Sequence, residues 1–291
     1  MDELYMQQMK MADLEADDYF DQEGILCCGK CHTHKVHIVN GAFALLGMPD
    51  AKAFRCLCDC ESKQREEEEE RRALEEHRKR VERLQSTCFT NASFRDCSID
   101  RCDKVPENIC RIGQQFIDHW TENRNKNIGL LFWGGVGNGK TTFAAAIANA
   151  LMEKEVSVLM RNFSAFLNAT FEQKEELFRL VNEAGLVILD DFGMERSSEY
   201  SLETVFSVID ARYNAKRPVI ITTNLPLKTI KNPADLDHKR SYDRIIEMCV
   251  PVHFEGPSLR GNIGAQNMKE FMEQSRRTED KDLHTAEEGR V

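Results

Sequence analysis

The chain has 291 residues, enough for one large domain plus a smaller one, and 39 basic against 49 acidic residues give a formal net charge of −10. That acidic total disfavours a broad nucleic-acid-coating surface and leaves room for a local basic groove or a ring pore. No apolar run approaches the roughly 18 residues of a membrane span, and Met1 to Phe20 lacks the basic head and apolar stretch of a secretory signal, so no membrane partner and a cytoplasmic location are expected.

Residues 1–24 read as a flexible or weakly helical acidic lead, and residues 25–60 as a Cys/His module within an N-terminal domain over 1–60. Ten of the eleven cysteines precede residue 111. A reducing compartment disfavours disulfides, so clustered thiols there read first as metal ligands. Cys28-Gly29-Lys30-Cys31 has zinc-knuckle spacing, and Cys56, Cys58 and Cys60 follow in Arg-Cys-Leu-Cys-Asp-Cys. Two pairs from separate turns close a tetrahedral Zn²⁺ site. The expected ligands are Cys28, Cys31, Cys58 and Cys60, with Cys27, Cys56, His32 and His34 as competitors that spacing does not exclude. A redox Cys-x-x-Cys lacks its thioredoxin-like strand–helix context here; unligated buried thiols are the other alternative. A module this short gains its folding energy largely from the metal.

Residues 61–85 carry nine Glu and eight Lys or Arg. Leu74, Val81 and Leu84, with His77, make a narrow apolar seam that is too short to establish a coiled coil. A solvated spacer helix is expected, with self-association or partner binding as the alternative, and 61–88 forms the linker. Phe89, Phe94 and Ile99 anchor the polar stretch that follows. Cys88, Cys97, Cys102 and Cys110 have wide, irregular gaps and read as small buried hydrophobes rather than a second metal set. Ile109, Ile112, Phe116 and Trp120 predict an amphipathic helix from Ile109 to Trp120.

Residues 127–255 alternate apolar strands with helices, the pattern of a parallel α/β sheet. Strands are expected at Ile128–Trp133, Val156–Met160, Leu186–Leu189, Val219–Thr222 and Val250–His253. Gly134-Gly135-Val136-Gly137-Asn138-Gly139-Lys140-Thr141 matches G-x-x-x-x-G-K-[ST], the phosphate loop of a nucleotide triphosphatase. A strand enters it and an Ala-rich helical run, Thr142 to Met152, leaves it. Backbone N–H groups from Gly134 to Thr142 would cradle the phosphates of ATP, with the helix dipole beneath them. Lys140 would reach the β- and γ-phosphates, and Thr141 would place its hydroxyl on Mg²⁺.

Leu186-Val187-Ile188-Leu189-Asp190-Asp191 is an apolar strand ending in two carboxylates. Asp190 is the candidate for the Mg²⁺ side and Asp191 for polarising the attacking water. Ile220-Ile221-Thr222-Thr223-Asn224 ends a further strand, and Asn224 would hold that water or sense the γ-phosphate. Arg244, in Ser241-Tyr242-Asp243-Arg244-Ile245, and Arg260, in Gly256-Pro257-Ser258-Leu259-Arg260, are cations that could neutralise developing charge; solvated surface arginines are the alternative reading. After Gly264 the chain is mostly polar, and 265–291 reads as a disordered tail.

The order of these features carries a resemblance. Phosphate loop 134–141, Leu-Asp-Asp-Phe-Gly at 189–193, Ile-Thr-Thr-Asn at 221–224, Tyr-Asp-Arg-Ile at 242–245 and Ser-Leu-Arg at 258–260 resemble the bacterial helicase-loader ATPases. These are AAA+ proteins related to the replication initiator and to transposase-helper ATPases. The resemblance spans about residues 90–262, within an expected ATPase domain over 89–264. It implies ATP hydrolysis that controls the grip on a hexameric replicative helicase, self-association through the ATPase domains, and single-stranded DNA as a further partner. It implies that Arg244 acts as an arginine finger across a subunit interface and Arg260 as a second sensor in cis. The module over 25–60 would grip the helicase. Two departures from the family pattern stand out: Asp191 is one methylene shorter than the common Glu, and Leu259 replaces the usual aromatic before the late arginine. The rivals are a transposase-helper ATPase acting on duplex DNA and a non-catalytic zinc adaptor.

Overall fold

The computed structural model describes residues 15–40, 51–102, 105–193, 199–233, 236–256, 268–269 and 271–272. The lead predicted over 1–24 lies outside them as far as residue 14, and its described part holds a strand at Tyr19–Phe20 where the sequence predicts a flexible or weakly helical stretch; of the tail predicted over 265–291 only 268–269 and 271–272 are described, and these are helical. The chain divides into two units, Met1–Lys79 and Arg80–Val291.

In the first unit β1 (Tyr19–Phe20) pairs antiparallel with β2 (Leu26–Cys27), and β3 (Val36–Asn40) pairs antiparallel with β4 (Ala51–Arg55). The buried apolar side chains described here are few: Leu26 and Val36 beside Cys27, Cys28 and Cys58. A fully buried Lys35 replaces further apolar packing. Its ammonium donates to Asp18 at 2.9 Å and pairs with Glu61 at 3.2 Å. Burial alone would lower its pKa, but the hydrogen bonds to Asp18 and Glu61 outweigh burial and raise it, so Lys35 stays charged. A buried ion triad of this kind fixes geometry more than it adds stability.

Helix α1 (Asp59–Cys88) begins in this unit and ends in the next. Pairs one turn apart, Arg65 with Glu69 at 2.7 Å and Lys79 with Glu75 at 2.8 Å, support it locally. The predicted apolar seam does not reach Leu74, which is 70% exposed; Val81 is buried and Leu84 packs on the second unit's core. Amphipathicity therefore matters only in the last turns, where there is something to pack against.

The second unit carries a five-stranded parallel sheet: β5 (Gly129–Gly134), β6 (Val158–Asn162), β7 (Leu186–Phe192), β8 (Val219–Thr223) and β9 (Cys249–Phe254), in the order β6-β7-β8-β5-β9. Successive strand residues face opposite sides, and this sorts the core into two layers. Leu130 and Phe132 join Phe143, Ile147, Ile188, Ile220 and Phe254 on one side. Leu131 joins Leu189, Ile221, Val208, Ile209 and Ile245 on the other. Each such fully buried side chain stabilises the fold by roughly 1.5–3 kcal/mol.

Helices α2 (Glu107–Asp118) and α3 (Trp120–Asn125) precede the sheet. They take the place of the single helix predicted to Trp120, because the backbone leaves helical geometry at His119 (φ −98°, ψ 26°). Then come α4 (Lys140–Glu153) after β5, α5 (Ser164–Leu167) and α6 (Phe171–Glu183) after β6, α7 (Glu199–Ala215) after β7, and α8 (Leu227–Lys231) and α9 (Leu236–Met248) after β8. This is the α/β AAA+ core that the sequence predicts. Cys88 is fully buried in the first layer, and Cys97, Cys102 and Cys110 pack partly buried against it, so these four thiols serve as small core residues. Among the described residues no helix is long and apolar enough to cross a membrane.

Candidate nucleotide and metal sites

The parallel sheet sends β5, β7 and β8 to the same edge, so the residues at their carboxyl ends converge. β5 delivers the phosphate loop. Gly134 has φ +144°, and a Cβ there would meet the Phe254 carbonyl oxygen at 2.3 Å, so only glycine lets the loop leave β5 this close to β9. Gly137 and Gly139 also have positive φ, and Gly139 caps α4 in the left-handed conformation. Buried Asn138 donates from Nδ2 to the Phe254 carbonyl at 3.0 Å and ties the loop to β9. Val136 is 59% exposed at the loop's outer bend. Thr142 follows in the first turn of α4.

Lys140 is buried, and its ammonium donates to the carbonyls of Gly134 at 3.0 Å and Gly135 at 2.6 Å. The lysine is therefore stowed on its own loop, in position to exchange carbonyl oxygens for phosphate oxygens. Thr141 Oγ1 donates to Asp190 Oδ1 at 2.8 Å. The two groups expected on the Mg²⁺ side thus lie in direct contact, and a hydroxyl beside a carboxylate is an oxygen donor set suited to that hard cation. Burial raises the Asp190 pKa, against the lowering effect of the hydrogen bonds from Thr222 and Thr141.

Asp190 and Asp191 are adjacent, and on a regular strand they would point to opposite faces. Asp191 instead adopts a left-handed φ of 55°, and the β7–β8 register shifts between Leu189 and Phe192. This bulge re-aims the pair. Asp190 Oδ1 meets Thr141 on α4 and Thr222 on β8, the latter at 2.6 Å, while Asp191 Oδ2 accepts a hydrogen bond from Asn162 Nδ2 on β6 at 3.1 Å. The Asp191 amide donates to Thr222 Oγ1 at 3.0 Å, so one hydroxyl serves both acids. Asn224 follows the last residue of β8 at this same edge. Thr222 and Asn162 were missed from sequence, Thr222 being read only as part of a strand. The signal available for Asn162 was a polar residue at the carboxyl end of a strand next to the acidic one.

Arg244 lies on α9, and its partners among the described residues come from α7. It ion-pairs with Asp210, and its guanidinium sits 4.7 Å from the Phe206 ring centre and 5.1 Å from that of Tyr213. Within one chain the arginine is thus held by α7. Arg260 lies outside the described residues.

In the first unit the sulfurs of Cys28, Cys31, Cys58 and Cys60 all lie within 4.8 Å of one another. Cys28 and Cys60 are 3.4 Å apart, Cys58 and Cys60 3.2 Å. The Lys30 and Glu61 amides donate to the Cys28 and Cys58 sulfurs at 3.4 and 3.5 Å, and the Thr33 hydroxyl lies 3.0 Å from Cys31. Hydrogen bonds from Thr33 lower the Cys31 thiol to about 5. Four thiols with N–H groups aimed at the sulfur fit a tetrahedral thiolate site and can chelate a metal ion. Of the competitors, Cys27 and His34 group with Asp21 instead, the Cys56 thiol donates to the His34 carbonyl at 3.6 Å, and His32 Nδ1 lies 3.1 Å from the Tyr19 hydroxyl.

Comparison with known proteins shows the family. Residues 64–266 match the family described as IstB-like ATP binding protein. The replicative helicase loader DnaC of Escherichia coli (strain K12) is 27% identical over 175 residues, covering 55% of this chain and 70% of that protein. The replicative helicase loader DnaI of Bacillus subtilis (strain 168) is 27% identical over 160 residues, covering 50% of this chain and 51% of that one. A crystal structure of DnaI aligns with a TM-score of 0.51 at 21% identity, covering 60% of this chain and 98% of the other, a likeness of fold.

Proposed function

The chain belongs to the IstB-like ATP binding protein family and is an AAA+ ATPase related to the replicative helicase loaders, and from that premise we propose that it loads a hexameric replicative helicase onto DNA at replication initiation. ATP hydrolysis to ADP and phosphate controls when the helicase is held and when it is released. The observation that carries this reading is the stretch shared with DnaC, 175 residues long, in a chain whose phosphate loop, Asp190 and Asp191 meet at one sheet edge.

In this mechanism the amides of Gly134 to Thr142 wrap the ATP phosphates, and Lys140 leaves the Gly134 and Gly135 carbonyls for the β- and γ-phosphates. Thr141 and Asp190 hold Mg²⁺. Bound Mg²⁺ supplies positive charge against the phosphate oxygens. Asp191 polarises the attacking water once it turns from Asn162, and Asn224 orients that water. Arg244 releases Asp210 and reaches the γ-phosphate site of a neighbouring subunit, while Arg260 acts in cis. Cys28, Cys31, Cys58 and Cys60 hold a structural Zn²⁺. The organisation that follows is a helicase-gripping module over 1–60, a linker over 61–88, an ATPase domain over 89–264 and a tail over 265–291. Single-stranded DNA contacts the assembled ATPase domains.

Co-purification tests the reading. The full chain with ATP should retain a hexameric replicative helicase from the same cell and release it when hydrolysis proceeds. Retention of a transposase on duplex DNA, with no helicase held, would replace the loader reading by that of a transposase helper.

A further inference from the structure

The geometry points to a second transition-metal site in the first unit, formed by Asp21, Cys27 and His34 and distinct from the four-cysteine cluster. The local backbone assembles it. Asp21 follows β1, and its Oδ1 accepts hydrogen bonds from the amides of Glu23 at 2.9 Å and Ile25 at 2.8 Å. One carboxylate oxygen is thereby committed to the turn, and the carboxylate plane is fixed. The other oxygen, Oδ2, lies 3.2 Å from His34 Nε2 and 3.9 Å from Cys27 Sγ. An isolated antiparallel bridge pairs Cys27 with His34. Residues directly opposite across such a bridge present their side chains on the same face. One atom from each residue forms a group in which all lie within 4.8 Å of one another.

These separations suit a tetrahedral ion. Bonds of about 2.0–2.1 Å to oxygen and nitrogen and about 2.3 Å to sulfur put ligand atoms roughly 3.3 Å apart for O and N and roughly 3.5 Å for O and S. The observed oxygen–nitrogen edge is 3.2 Å, and the oxygen–sulfur edge of 3.9 Å needs to contract by only a few tenths. A thiol, an imidazole and a carboxylate together select Zn²⁺ or Co²⁺ over Mg²⁺ or Ca²⁺. Cys27 is buried, whereas the His34 side chain is 54% exposed. Three protein ligands with an exposed rim leave the fourth position for water or an outside ligand, the open form of a zinc site. The few buried apolar side chains among the described residues of this unit give the ion a role: it ties the β1–β2 turn to the segment that carries His34.

The test is metal titration of the full-length, reduced, metal-free protein against a chromophoric chelator, first with Zn²⁺ and then with Co²⁺. The parent should take up two equivalents. Asp21→Asn keeps an oxygen for the turn and His34→Gln alters an exposed side chain, so both should fold, and circular dichroism checks this. Each should lose the second equivalent, its affinity falling by more than the roughly 10- to 100-fold that loss of an outer-shell partner costs. In the Co²⁺ spectrum they should remove only a one-thiolate component and leave the multi-thiolate charge-transfer band. Cys60→Ser should do the reverse. A parent that saturates at one equivalent, or D21N and H34Q that still bind two, would overturn the second site, and the response of C60S would judge the four-thiol site separately.

Discussion

Thr222→Val isolates the hydroxyl on which both acids depend. Valine matches threonine in volume and suits a strand, so the change removes polarity without opening a cavity. Thr222 is fully buried; its hydroxyl donates to Asp190 at 2.6 Å and accepts the Asp191 amide at 3.0 Å. A hydrogen bond to a charged group is worth about 1.5–3 kcal/mol, and stranding the partly buried Asp191 amide costs at most about 1–3 kcal/mol, the range for a fully buried group. The two effects share one hydroxyl and do not simply add, so a loss of about 3 kcal/mol is expected. For a unit of this size that lowers Tm by roughly 6–12 °C. Urea unfolding followed by circular dichroism should show a lower midpoint at unchanged slope. Turnover should fall on the order of 10²-fold, the scale set by a misplaced catalytic group, because the left-handed turn at Asp191 loses its anchor. Thr222→Ser keeps the hydroxyl and gives up one buried methyl, about 1 kcal/mol, and should retain most activity. T222V with parental stability and turnover would refute the argument, as would T222S being as impaired as T222V.

Lys140→Ala removes a charged phosphate contact and should weaken ATP binding about 10- to 150-fold, the equivalent of one charged hydrogen bond; unchanged affinity by calorimetry would reject its role. Asp191→Asn should still bind ATP but hydrolyse it about 10²- to 10⁴-fold more slowly, whereas Asp190→Asn should raise the Mg²⁺ concentration required; the opposite pattern would exchange the two assignments. Arg244→Ala should bind ATP nearly normally and turn it over poorly, and mixing R244A with K140A should restore some activity if the arginine serves a neighbour's site. Mixed assemblies that form without recovery would leave Arg244 as a residue that pins α9 to α7. Burial raises the Cys88 thiol to about 12 and also pushes up Cys249. At pH 8 the Cys88 thiolate fraction is then about one in ten thousand. Neither cysteine should be alkylated in the folded protein, and rapid labelling of either, located by mass spectrometry, would contradict its burial.

Much of this architecture was legible because it rests on local patterns. The apolar runs that became β5 to β9 lie within three residues of their expected ends, since strands buried on both faces, as β5, β7 and β8 largely are, read as continuous apolar stretches. The phosphate loop was legible because glycine is demanded wherever backbone must approach backbone, as Gly134 approaches Phe254 at a distance no Cβ would allow. The break at His119 was not legible, because the apolar spacing runs on through Trp120. Nor was the exposure of Leu74: periodicity records which face of a helix is apolar, not where along its length a partner lies.

The sequence by itself determined the parallel α/β core, the phosphate loop, the acidic strand end and the thiol spacing, all set by neighbours in the chain. It assigned Asp190 and Asp191 separate tasks but not the contacts that hold the two acids apart. Adjacent strand residues face opposite sides of a sheet, and only the bulge against β8 turns one toward Thr141 and the other toward Asn162. Likewise only the fold sorts the clustered cysteines, sending Cys28 to meet Cys58 and Cys60 while Cys27, one residue earlier, meets Asp21 and His34. The physical reason is the same in both places. Chemistry at these sites depends on directions fixed by partners on other strands and turns, and those partners meet only when the chain has closed.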